Sequence, residues 1–185
     1  MDTLNIEENR AGQKYTLSVQ LMRVAWGFGR MLFRVIPRPF YGLRRFILKC
    51  FGARLGRRVN VANTATIYFP WNLEVGDWSS IGERAMIYNL GKITIGKQAT
   101  ISQGVHLCAG SHDYLDPAMP LLTLPITIGD QVWICADAFI GPNVVVGEAA
   151  VVGARAVACK DVNSWSVVAG NPAVEVRSRS LRKKP

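Results

Sequence analysis

The chain has 185 residues, of which 49% are hydrophobic, enough to bury a core and to exclude wholesale disorder. Its 17 Gly and 9 Pro follow no Gly-X-Y period, which excludes collagen-like chains. The net charge of +9 is concentrated at the ends: residues 1–58 hold 12 Lys/Arg against 3 Asp/Glu, residues 59–163 hold 5 against 9, and residues 164–185 hold 5 against 1. A mildly acidic middle argues against nucleic acid as a partner.

Residues 1–16 are poor in apolar side chains and show no period, so they read as a mobile N-terminal arm. From Leu17 to Ile36 the arginines Arg23, Arg30 and Arg34 fall on one face of a helix, with Val24, Trp26, Phe28, Leu32 and Phe33 elsewhere. Each arginine costs roughly 2.5–3.5 kcal/mol near a bilayer centre, so this stretch does not span a membrane. Pro37 and Pro39 end it, and a second short helix is expected over Phe40–Phe51, stopped by Gly52. Two placements of residues 17–52 stand side by side. One is a cap over the neighbouring domain; the other is contact with an anionic membrane surface.

The segment 53–163 is organised by a six-residue repeat. Aliphatic positions recur at Leu55, Val61 and Ile67; Val75, Ile81 and Ile87; Ile95, Ile101 and Leu107; Ile128, Ile134 and Ile140; and Val146, Val152 and Ala158. Gly follows immediately in eight of these fifteen cases, and small or aliphatic residues such as Ala85, Ala99, Val132 and Ala156 lie two places before. A short strand turning a single aliphatic residue inward, three times per coil, builds a triangular prism whose coils cover one another's open edges. Glycine, free to take positive φ, is expected to turn each corner. The repeat slips by two residues before Val75 and before Ile95. It breaks once more, at an ejected loop over residues 113–127, and a loop of that length in a strict repeat is usually functional. Residues 164–185 form a C-terminal segment with a basic tail.

Cys50, Cys108, Cys135 and Cys159 form no C-x-x-C pair, and no cleavable signal peptide is recognisable, which reads as reduced thiols in a cytoplasmic protein. The two histidines, His106 and His112, are six residues apart and so lie on successive faces. They should not share a metal, and none is expected. His112 stands where the loop leaves the prism, in place to act as a general base, with Asp113 available to accept its other ring N–H.

The hexads resemble those of the hexapeptide-repeat acetyltransferases, and the resemblance implies an all-β solenoid, a left-handed parallel β-helix, behind a short helical N-terminal segment. The string L-C-A-G-S-H-D-Y (107–114) resembles that family's catalytic turn. I-G-D-Q-V-W-I-C-A (128–136), V-A-C-K-D-V (157–162) and A-G-N-P-A-V-E-V-R (169–177) are similar to its later motifs. Upstream strings, among them F-G-A-R-L-G-R-R-V-N and I-Y-N-L-G-K-I-T-I-G-K, are most similar to the colanic acid biosynthesis acetyltransferases. That resemblance implies O-acetyl transfer from acetyl-CoA to a sugar hydroxyl in exopolysaccharide synthesis, on a free or lipid-linked oligosaccharide.

Residue by residue, the resemblance implies His112 as base, with Asn89 on the acceptor side. Trp133, Ala136 and Ala154 would shape the channel for the acetyl-pantetheine arm. Cys159, standing for the family's Thr, Lys160 and Arg177 would meet the coenzyme A end, although the family's more upstream tail arginine falls on Val174 here. The resemblance also implies a homotrimer. A different class of function stays open, a non-catalytic β-helical scaffold or a membrane-docked assembly subunit; loss of the His112 turn or of Lys160 would favour it, and neither is lost. A site at the inner face of the cytoplasmic membrane would suit a lipid-linked acceptor.

Overall fold

The computed structural model describes residues 3–182, so Met1, Asp2, Lys183, Lys184 and Pro185 of the expected arm and tail lie outside it. The repeat closes into a left-handed parallel β-helix of about six coils with three faces. Face one stacks the strands containing Leu55, Val75, Ile95, Ile128 and Val146. Face two stacks those containing Val61, Ile81, Ile101, Ile134, Val152 and Val168. Face three stacks those containing Ile67, Ile87, Leu107, Ile140 and Ala158. Every one of the fifteen repeat positions therefore falls on the face its place in the period demands, and all are buried.

A sixth, partial coil continues past the fifteen. Val162 bridges to Val146 and Val168 pairs with Val152. The sequence hides it because Asn163 and Ala169, not Gly, follow these two valines. Below it Val174–Ser178 turns back antiparallel onto Ser166–Ala169.

The corners are turned differently from expectation. The third residue after ten of the fifteen aliphatic positions is left-handed, and apart from Gly104 it is a residue with a side chain, such as Arg58, Trp78, Gln98, Gln131 or Ala149. Six of the eight glycines that follow the aliphatic residues are instead required by close stacking. A Cβ on Gly76 would stand 2.7 Å from the backbone of Gly96, and one on Gly129 2.8 Å from Glu148 N. Coil-on-coil approach, not dihedral freedom, selects glycine here.

Three helices precede the prism. α1 (Ile6–Ala11) lies inside the segment expected to be a mobile arm. Its cap is reciprocal: Asn5 Oδ1 accepts from Glu8 N, and Asn5 Nδ2 donates to the Glu8 carboxylate. α2 (Leu17–Val35) and α3 (Tyr41–Cys50) match the two helices expected from the sequence. α2 buries Trp26, Gly29 and Phe33 against the top of the prism, where Trp26 Nε1 donates to Ile67 O at 2.8 Å. Arg44 of α3 is fully buried and has no carboxylate partner among the described residues. Its guanidinium donates to the carbonyls of Ile36, Pro37, Arg38 and Val61, tying the end of α2 to the first coil.

Candidate active site

All departures from the six-residue step occur at one edge of the prism, where the chain passes from face three back to face one. The first passage there, through Tyr68–Asn72, includes the short 3₁₀ turn Pro70–Asn72. The third is the long excursion, which begins earlier than the sequence indicates. Gly110–His112 pairs antiparallel with Leu121–Thr123 as a hairpin, and Ile126–Ile128 is already back in face one.

His112 ends the outgoing hairpin strand and is exposed. Its Nδ1 lies 2.7 Å from the carbonyl oxygen of Met119. A carbonyl only accepts, so Nδ1 carries the hydrogen and Nε2 keeps its lone pair free. Met119 holds a left-handed backbone with φ of 46°, which is uncommon for a residue with a side chain, and its carbonyl also accepts from the Asn9 side-chain amide of α1. Asn5 N of the same segment donates to Pro117 O at 2.7 Å. The N-terminal segment thus clasps the hairpin that carries His112. Between the two lies a cleft of about 480 Å³ lined by Glu8, Asn9, Lys14, Tyr15, Pro120 and Leu121, the last being the pairing partner of His112.

Two expectations are corrected by this geometry. Asp113 does not orient His112, because its carboxylate accepts from Leu115 N at 3.0 Å and closes a turn of its own loop. Asn89 is not an acceptor-side group: it is fully buried, accepts from the N–H groups of Tyr68 and Phe69, and donates to Phe69 O. It holds together the first widened passage of the edge, which explains the two-residue slip there.

The remaining candidates fall into three places. Trp133 is on the outside of face two, 47% exposed, with Nε1 donating to Ser102 Oγ at 3.0 Å, so it is not a core aromatic. Arg177 lies in the same outward register column, reached through Val151 and Val167. Ala136 and Ala154 occupy stacked corners between faces two and three, with Arg155 N donating to Ala136 O. Cys159 and Lys160 are exposed after face three, on the edge that bears the hairpin two coils above. The tail is anchored beyond Arg177: Arg179 donates to the carbonyls of Gln131 and Ala149.

His106, six residues before His112, faces outward from face three between Tyr88 and Phe139, both edge-on to it. Burial lowers its pKa below the ordinary histidine value, and its Nε2 has no hydrogen-bond partner among the described residues. Among the described residues no group of His, Cys, Asp or Glu is placed to hold a metal ion, and the four cysteines are free. The residues that sequence reasoning missed are Met119 and Asn9. A backbone carbonyl leaves no signature in a sequence, and Asn9 is 110 residues away in the chain.

No family model matches the chain. Over 154 residues, 83% of this chain and 85% of the relative, it is 38% identical to a provisionally named colanic acid biosynthesis acetyltransferase, WcaF, of Escherichia coli strain K12. Over 123 residues, 64% of this chain and 61% of the relative, it is 30% identical to the galactoside O-acetyltransferase of the same strain. A hexapeptide-repeat containing acetyltransferase of Vibrio cholerae superposes with a TM-score of 0.84 at 24% identity, over 94% of this chain and 99% of the other.

Proposed function

Since the chain belongs to the hexapeptide-repeat acetyltransferases, we propose that it moves an acetyl group from acetyl-CoA to a sugar hydroxyl during exopolysaccharide synthesis, with His112 as general base. The observation that carries this reading is the Met119 carbonyl on Nδ1 of His112, which leaves Nε2 as the free base on an exposed hairpin. The acceptor enters the cleft between the N-terminal segment and the hairpin, where Tyr15 offers a ring to a sugar face and Glu8 and Lys14 offer hydrogen bonds.

In the reaction, Nε2 takes the hydroxyl proton as the oxygen attacks the thioester carbonyl. A tetrahedral oxyanion forms, stabilised by a backbone N–H, an interaction worth about 3–4 kcal/mol in other enzymes. The C–S bond then breaks, and the imidazolium returns its proton to the leaving thiolate. Trp133, Ala136 and Ala154 line the pantetheine path. Cys159 stands beside it, and Lys160 and Arg177 meet the phosphates.

These residues occupy different edges and faces of one prism, so a single chain does not line one continuous channel. This supports a homotrimer in which acetyl-CoA lies between neighbouring prisms, one giving the His112 edge and the other the Ala136 and Ala154 corners. Thiol release from acetyl-CoA with a panel of free and lipid-linked sugars, followed by mass spectrometry, tests the reading. An added acetyl group on a sugar supports it; no sugar-dependent thiol release rejects it in favour of a scaffold.

A further inference from the structure

α2 has a second face that the prism does not use. Taken at 100° per residue, Leu21, Val24, Phe28, Met31, Leu32 and Val35 fall within an arc of about 100°, opposite the buried Trp26 and Phe33. All six are more than half exposed; Phe28 stands at 71% and Val35 at 75%. Phe40 and Phe46, before and within α3, are exposed as well. A folded chain rarely presents this much contiguous apolar surface to water without a partner.

Charge identifies the partner. From residue 9 to residue 73 there is no Asp or Glu, while the same stretch holds 12 Lys/Arg. Arg23, Arg30 and Arg34 lie between the apolar stripe and the buried face, where Arg23 covers the rings of Tyr15 and Phe69 and Arg34 donates to Thr66 Oγ1, yet all three remain exposed. Capping the prism accounts for Trp26 and Phe33 but leaves the outer stripe unexplained. A second copy docked face to face would bring an equally acid-free, cationic segment against this one. We infer that the outer face of α2 docks on an anionic lipid bilayer, lying in the plane of the headgroups with the stripe buried and the acid-free, cationic segment facing the phosphates. No helix among the described residues is long and apolar enough to cross a membrane, so the attachment is peripheral. The inference stands apart from acetyl transfer.

The test is co-sedimentation of the full chain with phosphatidylcholine vesicles, with and without phosphatidylglycerol, at low and high salt. Wild type sediments with the anionic vesicles at low salt and is partly released by high salt. Phe28→Gln, Met31→Gln and Val35→Gln together lower partitioning by about tenfold or more at both salts. Arg30→Gln lowers it a few-fold at low salt only. Because the three glutamines replace exposed side chains, unchanged circular dichroism and unchanged thiol release on a soluble acceptor accompany the loss.

Wild type left in the supernatant at low salt overturns the inference, as does equal binding to neutral vesicles. So does a triple variant that sediments like wild type, or one that loses oligomeric mass by light scattering, which makes another copy the occupant. Intact vesicle binding without any acetyl transfer sinks the catalytic reading alone.

Discussion

Two edges of the prism keep the six-residue step without exception, while the edge from face three to face one breaks it in four of its five passages. The strict edges are lined mostly by small residues such as Ala65, Ala85, Ala99, Ala138 and Ala150, whereas the larger Leu73, Ile93 and Ile126 fill the broken edge, all of them buried. The broken edge carries the Asn89-bound turn, the His112 hairpin and the exposed Lys160. A solenoid fixes its own repeat by stacking, so residues are free to vary only where a passage can swell outward without disturbing the coil beneath. The candidate base His112 stands at the edge where the stacking constraint is weakest, whereas Ala136 and Ala154 lie at a strict one.

The two histidines make the sharpest form of the comparison, and the largest effect is expected there. His112→Ala should lower the acetylation rate by about 10²–10⁴ with little change in acetyl-CoA affinity, whereas His106→Ala should stay within a few-fold. Steady-state thiol release measures both, and equal activity of wild type and His112→Ala would sink the assignment.

On a face between the two strict edges the cost should appear as stability. Ile134 is fully buried in face two, and Ile134→Ala should cost about 2–5 kcal/mol in urea unfolding, because neighbouring coils cannot collapse into the gap. A loss well under 1 kcal/mol would mean the coils slide to fill it.

Asn89 lies on the broken edge yet behaves as structure. Asn89→Ala strands the N–H groups of Tyr68 and Phe69 and should cost about 1–3 kcal/mol while leaving the acceptor KM unchanged. A raised KM at full stability would restore it to the acceptor site.

The smallest effect concerns pH. The His106 pKa is lowered in the folded state by burial, so below its ordinary value the unfolded chain binds the proton more readily. Stability contributed by the neutral ring is present above about pH 6.5 and is lost as pH falls below it. His106→Phe, placed between Tyr88 and Phe139, should flatten that slope in melting curves from about pH 7 to pH 5. An unchanged slope would assign the acid sensitivity elsewhere.

Much of this was legible in the sequence for a physical reason. A buried aliphatic residue every sixth place cannot be replaced without opening the core, so Leu55 through Ala158 announce the prism, and its interruption announces the hairpin. The partner of His112 was not legible, because sequence offers Asp113 next door while folding delivers the carbonyl of Met119. Asn89 misled for a related reason: a polar residue at a widened corner looks available until its side chain is seen to be spent on the turn. The corner residues Arg58, Trp78 and Ala149 share a left-handed backbone and no chemistry, so no pattern could mark them.

The reversed strand Val174–Ser178 bears on how long the molecule can be. A parallel β-helix has no intrinsic stop, since its last coil offers the next one the same row of amides and carbonyls that the previous coil used. Here the final row of face two is taken by a strand of opposite direction with all five residues exposed, while α3 packs over the first strands, Arg54–Leu55 and Asn60–Val61. The last parallel row of face two and the first strands of faces one and two are thereby covered. Deleting those five residues would leave an open template, and fibres in place of discrete particles are the failure it protects against.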